Sequence, residues 1–239
     1  MTVGGAPLAP VELLLARCHG MGVDLDPAAA AALVALLDRL ALEPQNLTAI
    51  DDVRDGVERH LADSLAAVPL PAVSGAERAV DLGSGGGFPG IPLAVAHPAL
   101  SVTLVESERR KADWLRRASA GLPNVRVVPE RTETLATAER ERFAVATARA
   151  LGPLPVVLEL AAPLLAPGGT LVAWRGPRDA DEEARAATAA SELGLEPAAV
   201  HPVSPFPGAR RHLHEYVKIG PTPARYPRRP GRAAKRPLA

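Results

Sequence analysis

Apolar residues along the first seventy positions recur at helical spacing. "VELLLARCHGMGV", "PAAAAALVALLDRLALE" and "DDVRDGVERHLADSLAAV" each place them three and four apart. Pro27 is compatible with a first helical turn. In the third segment Val53, Val57, His60, Leu61, Ser64 and Leu65 share one face. "PLPAVSG", from Pro69 to Gly75, reads as a linker. Beyond it the period shortens. "RAVDL", "SVTLVES", "NVRVVPE", "FAVATARA" and "GTLVAWRG" read as five short strands. Helical segments separate them at Pro89–Val95, Glu108–Ala120 and Pro155–Leu165, and "DEEARAATAASELG" is a further helix. Strands that alternate with helices predict right-handed crossovers and a parallel sheet covered on both faces. "AAVHPVSPF" and "HLHEYVKIG" add two edge strands, the last antiparallel. The pattern divides the chain into a helical part (1–70), an α/β part (71–220) and a tail (221–239).

The 239 residues, 47% of them hydrophobic, suffice for one substantial core. The 27 basic and 27 acidic residues cancel. Their distribution is uneven, because Pro221–Ala239 holds six basic residues and no acid. Rich in Pro and Arg, this tail is expected to be disordered. Lysine occurs only at 111, 218 and 235, so arginine is favoured throughout and no single arginine is diagnostic. Arg109, Arg110 and Lys111 fit a solvated face as well as an RNA-binding rim. One cysteine, Cys18, excludes an intramolecular disulfide and a Cys-based zinc site. His212 and His214 alternate on a strand with no third ligand at metal spacing, so no metal is expected. With no long apolar run and no signal pattern, the expectation is a soluble, cytoplasmic, monomeric chain with no membrane partner.

The chemistry concentrates in "AVDLGSGGGFPGIPLAV", from Ala79 to Val95. Gly83, Gly85 and Gly87 follow the first strand, and Gly85, Gly87 and Gly90 also satisfy a dinucleotide pattern. A second acid, Glu106, ends the next strand at a separation suited to binding ribose hydroxyls. The first acid, Asp81, discriminates between cofactors. A pyrophosphate on the turn would be repelled by it. S-adenosylmethionine carries a sulfonium and an ammonium and no phosphate, so Asp81 favours it, directly or through water. An NAD(P)-dependent oxidoreductase is the competing reading. The implied fold is Rossmann-like, of the S-adenosylmethionine-dependent methyltransferase type, with a mostly parallel seven-stranded sheet and an N-terminal helical extension. Methylation at pyrimidine C5 needs a cysteine nucleophile, and Cys18 is far from the cofactor strands in sequence. Exocyclic-amine methylation commonly uses an Asn/Asp-Pro-Pro-aromatic turn, which "TARALGPLP" does not match. Guanine N7 has a free lone pair and needs little proton chemistry. A small-molecule acceptor also stays open.

Several motifs in order carry a more specific likeness. "NLTAI" (Asn46 to Ile50), "RHLADS" (Arg59 to Ser64), "DLGSGGGFPGIPLA" (Asp81 to Ala94), "VESERRKADWLR" (Val105 to Arg116), "ARA" (Ala148 to Ala150), "WRG" (Trp174 to Gly176) and "RHL" (Arg211 to Leu213) resemble the bacterial 16S ribosomal RNA guanine-N7 methyltransferase family, RsmG or GidB. The resemblance spans roughly Leu36 to Gly220, and "FPGIP" is its most specific part. It implies S-adenosylmethionine as cofactor and 16S ribosomal RNA, or the assembling small subunit, as partner. It places Gly83 and Phe88 on the methionine and ribose side of the cofactor and Thr132 and Glu133 at the adenine end. It makes Arg149 a cofactor- or substrate-proximal, candidate catalytic arginine, and sets Arg131 and Arg211 towards RNA. Arg175 stands where the family has lysine, in the same RNA-facing region. His60 is expected to link the helical segment to the catalytic part, with Asp63 and Ser64 at the site's edge. The chain departs from the family before Asn46, at Arg175 and in the length of the last strand, all in regions that bear on target choice.

Overall fold

The computed structural model describes every residue except 1, 4, 5, 45, 46 and 51. Gln45 and Asn46, the first residues of the "NLT" region, lie outside the described residues.

Seven strands form the main sheet: β1 (Arg78–Leu82), β2 (Ser101–Val105), β3 (Val125–Val128), β4 (Phe143–Arg149), β5 (Leu165–Arg175), β6 (Leu195–Val203) and β7 (Arg211–Lys218). Their order is β3-β2-β1-β4-β5-β7-β6. The first five are parallel, while β7 runs antiparallel to both β5 and β6. The chain reverses direction across the sheet between β1 and β4, because the first crossovers build outward to β3 and the next returns to the other side of β1. Ligands of open α/β sheets bind at such a switch point, beyond the carboxyl ends of the strands.

Alternation along the strands divides the core. Ala79, Val102, Val145, Val172 and Leu213 pack under the N-terminal helices. Val80, Ala146, Leu171 and Ala173 pack on the other face against Leu154–Ala161 and Ala180–Leu193. The N-terminal helices therefore share one core with the sheet. Helix Pro27–Ala41 starts where predicted: Asp26 accepts from the backbone N–H of Ala28 (2.8 Å) and Ala29 (3.2 Å), with Pro27 at the first helical position. It buries Leu33, Leu36, Leu37 and Leu40.

The third helix has an internal change that periodicity did not reveal. It runs as α over Val53–Gly56, π over Val57–Ala62 and α over Asp63–Leu65. A π segment rotates the residues after it relative to a regular α-helix and often marks a functional site. It carries Arg59 and His60 and delivers Asp63 to a position under β5, where the Trp174 indole N–H donates to the Asp63 carbonyl (2.8 Å).

Three expectations are corrected. The linker Pro69–Gly75 contains a short helix, Pro71–Ser74. A helix at Thr132–Ala138, too short to show a period, follows β3. The tail, expected to be disordered, packs: Tyr226 and Ala233 are buried in the second core face, and Arg232–Lys235 form a helical turn. Composition misled because the acids that pair with Arg228 and Arg225, Glu159 and Glu192, lie elsewhere in the chain.

Gly90 opens the helix that follows the glycine turn, Gly90–Ala96. A Cβ there would lie 2.3 Å from Leu104 Cδ2 and 2.9 Å from Asp81 Oδ2, so the helix backbone lies directly on side chains of the sheet. Gly90→Ala is expected to lower stability by about 1–3 kcal/mol through overpacking, read as a shifted urea midpoint. An unchanged midpoint would show that the helix can lift without cost.

Candidate active site

The turn after β1 depends on three left-handed glycines, with φ of +64° at Gly83, +53° at Gly85 and +103° at Gly87. At Gly83 a Cβ would also meet Leu151 Cδ1 at 2.6 Å, and at Gly87 it would meet Ile91 Cδ1 at 2.5 Å. Side chains within the turn and from other elements hold it. The Ser84 hydroxyl donates to the Asp81 carbonyl (2.9 Å) and the Trp114 indole to the Gly86 carbonyl (3.1 Å). Glu106, at the end of β2, accepts from the N–H of Gly85 (3.1 Å) and of Glu108 (2.8 Å). Each of its oxygens keeps a lone pair for a ligand hydroxyl.

Asp81 is fully buried beneath the turn. Its Oδ1 accepts from the Thr147 hydroxyl (2.8 Å), while Oδ2 has no partner among the described residues. Burial pushes its carboxyl up to about 6, against the opposing pull of Thr147, Ser84, Arg149 and the Gly90 backbone. An orphaned buried acceptor under a turn of bare backbone fits a cationic ligand group, and fits a pyrophosphate poorly.

Two cavities lie on this side of the sheet, and the first has Gly83 of the turn in its wall. One, of about 160 Å³, is lined by Gly83, Ser107, Arg131, Thr132, Glu133 and Leu151 among others. It groups Thr132 and Glu133 with Gly83 of the glycine turn. Arg131, expected to face RNA, lies here and apart from Arg149, Arg175 and Arg211. The second cavity, of about 540 Å³, is lined by Arg59, His60, Asp63, Arg149, Arg175 and Arg211 among others. Phe88, just after the turn, packs against the walls of the second: the His60 ring stacks on it (4.6 Å between centroids, 8° between planes) and the Arg149 guanidinium lies 5.4 Å from its centroid.

Asp63 organises the larger cavity. Its Oδ2 accepts from Arg149 Nη1 (3.0 Å) and its Oδ1 from Arg211 Nε (3.2 Å). Arg149 also donates to the Arg59 carbonyl (3.1 Å) and reaches His60 Nδ1 at 3.4 Å. The His60 Nε2 lies 2.7 Å from the Thr48 hydroxyl. Burial, reinforced by the Arg149 charge, pushes His60 down to about 4, so the imidazole is neutral near pH 7. With a guanidinium against Nδ1, the proton sits on Nε2. Arg175 is less free than expected: it donates to the Gly152 carbonyl (2.8 Å) and to both oxygens of Glu182 (2.6 Å each).

Sequence reasoning missed Phe206 and Arg59. Arg59 and Arg211 flank the Phe206 ring at 6.0 and 5.9 Å from its centroid, at the cavity rim. An isolated aromatic among turn residues in "SPFPGAR", in a chain with 3% aromatics, was the available signal. The described residues hold no group of three or more candidate metal ligands, and no helix among them is long and apolar enough to cross a membrane.

A sheet of this order, with a left-handed glycine turn after β1, an acid ending β2 and an arginine ending β4, defines an S-adenosylmethionine-dependent methyltransferase. Residues 29–213 match the family described as rRNA small subunit methyltransferase G, and the chain belongs to that family. It is similar to "Ribosomal RNA small subunit methyltransferase G" of Chloroflexus aggregans, with 42% identity over 95% of this chain and 98% of the relative. Its similarity to the protein of that name from Deinococcus deserti is 40%, over 95% and 96%. Among solved structures, a variant of the 16S rRNA (adenine(1408)-N(1))-methyltransferase from Catenulisporales acidiphilia shares the fold, with a TM-score of 0.51 at 22% identity, covering 64% of this chain and 90% of that one. The family assignment closes the oxidoreductase reading that the glycine spacing had left open.

Proposed function

We propose that this chain transfers the methyl group of S-adenosylmethionine to N7 of a guanine in 16S ribosomal RNA, acting as a cytoplasmic monomer. The observation that carries this reading is the cavity held by Arg149, Asp63 and Arg211, whose wall residue Ala150 directly precedes Leu151 in the wall of the cavity that holds Gly83. Bound cofactor supplies an electrophilic methyl group. The chain's own residues supply position and charge. Glu106 presents acceptors for ribose hydroxyls, and Asp81 adds negative charge beneath the turn. Arg59, Arg149 and Arg211 make the larger cavity a site for phosphates and for the acceptor-rich O6/N7 edge of guanine. The Phe206 ring offers a face for a neighbouring base.

The site's proton chemistry supports N7 as the target. N7 attacks through its lone pair and loses no proton, so no general base is required. The side chains here offer none that is free. His60 is neutral, with Nδ1 against Arg149 and Nε2 against Thr48, and both Asp63 oxygens are engaged by arginines. Incubating the chain with labelled S-adenosylmethionine and unmodified 16S ribosomal RNA is expected to place label on guanine N7. Cofactor binding without label on RNA would overturn the acceptor, and label in metabolite extracts alone would indicate a small-molecule substrate.

A further inference from the structure

The C-terminal segment does not end at the sheet. It returns across the second core face and closes one side of the smaller cavity, where Gly231, Ala233 and Ala234 stand opposite Thr132 and Glu133. The contact is direct, for the Gly231 N–H donates to Glu133 Oε1 (2.8 Å). The family resemblance puts Thr132 and Glu133 at the adenine end of the cofactor, and the order of the strands agrees. Glu106 ends β2, where the ribose carboxylate stands in open α/β sheets. Thr132 and Glu133 follow β3, the next strand outward, where the base must lie.

The segment is fixed at several points. Arg140 donates to the carbonyls of Thr222 (2.5 Å) and Tyr226 (2.8 Å), and the Thr222 hydroxyl donates to the Leu193 carbonyl (2.8 Å). The Tyr226 hydroxyl donates to Glu192. Nearer the cavity, Arg228 donates to Glu159 through its backbone N–H, its Nε (2.8 Å) and its Nη2 (2.5 Å), and to the Arg236 carbonyl through Nη2 (2.8 Å). Glu159 is 1% exposed and sits in helix Leu154–Ala161 beside Val156 and Leu160, which line the cavity floor. A buried carboxylate is costly unless paired. Here its partner comes from the tail, so the sheet side of the cavity is built to receive that segment. Pinned on both sides of Gly231, the segment presents a preformed wall and loses little freedom when a ligand arrives.

We propose that residues 226–236 are part of the cofactor-binding site, forming the outer wall of the pocket that takes the adenine end of S-adenosylmethionine. This rests on the cofactor reading above, and calorimetry separates the two. The full chain is expected to bind S-adenosylmethionine; if it does not, the cofactor reading itself fails. The chain ending at Gly220 is expected to bind it at least tenfold more weakly, with the same fold-loss for 5′-methylthioadenosine, which retains the adenine end. Ala234→Phe, a change at an exposed position that fills the cavity from the tail side, is expected to lose at least tenfold for both ligands with an unchanged melting temperature in their absence. It decides the question alone if the shortened chain does not fold. Binding by either folded variant within twofold of the full chain overturns the proposal.

Discussion

Replacing Asp81 by Asn is expected to remove a pH dependence from both folding and cofactor binding. The rise of the Asp81 carboxyl to about 6 means that the folded chain holds a proton which the unfolded chain has released. The folded state therefore binds more protons between about pH 4 and 6, so stability falls as pH rises through that window. Above it the full cost applies, roughly 3 kcal/mol for a rise of this size. The Asn variant lacks this term. Urea unfolding at pH 4 and pH 7.5, without cofactor, should show the stability difference moving by about 2–3 kcal/mol in the variant's favour at the higher pH. A difference independent of pH would mean that Asp81 is ionised throughout. Binding should move oppositely. A cationic ligand favours the ionised carboxylate, so the parent's affinity for S-adenosylmethionine should rise between pH 5 and pH 7.5, as the bound state gives up the proton. The variant should bind at one pH-independent affinity, weaker at pH 7.5 by about 1–3 kcal/mol, the usual cost of losing a charged hydrogen-bond partner. The unpartnered Oδ2 under the turn is the group that this exchange would satisfy.

The cofactor half of the site was legible because its information is local. Gly83, Gly85 and Gly87 need positive φ within one turn, and Asp81 and Glu106 are fixed by the ends of two adjacent strands that the apolar runs already marked. The family motifs added the larger fold around them. What the spacing left out was orientation. That Asp81 points beneath the turn, towards Thr147, depends on β1 lying beside β4, a pairing set by the crossover order. The second cavity is non-local throughout. Arg59, His60 and Asp63 come from the third helix, Arg149 from the end of β4, Arg175 from the end of β5 and Arg211 from the start of β7. Only the topology makes them neighbours, and only the π segment turns Asp63 towards both arginines. The tail was misread for the same reason. Its arginines signal disorder when counted alone, and order once Glu159 and Glu192 are seen to face them.

The strongest test of the larger cavity is Asp63→Ala. This single carboxylate, 4% exposed, separates two guanidinium groups. Removing it leaves Arg149, only 16% exposed, and Arg211 facing each other with no carboxylate bonded to either, Asp81 acting on Arg149 only through space. Breaking a buried pair by deleting one partner costs more than the pair contributes, because the surviving charge stays desolvated. Asp63→Ala is expected to lose about 3 kcal/mol or more in urea unfolding and to abolish measurable RNA methylation. Affinity for S-adenosylmethionine should change less than threefold, since Gly83–Phe88, Glu106 and Thr132 are untouched. Charge is then separated from packing by a double variant. In the Asp63→Ala background, Arg149→Met removes the stranded charge while keeping a long apolar side chain against Phe88. It should recover about 1–2 kcal/mol, a coupling typical of groups in direct contact, with methylation still absent. If the second substitution costs stability instead, the arginine's value lies in its stacking on Phe88 and its bond to the Arg59 carbonyl, and Asp63 serves to orient it. If stability recovers and methylation returns with it, the guanidinium is not part of the chemistry.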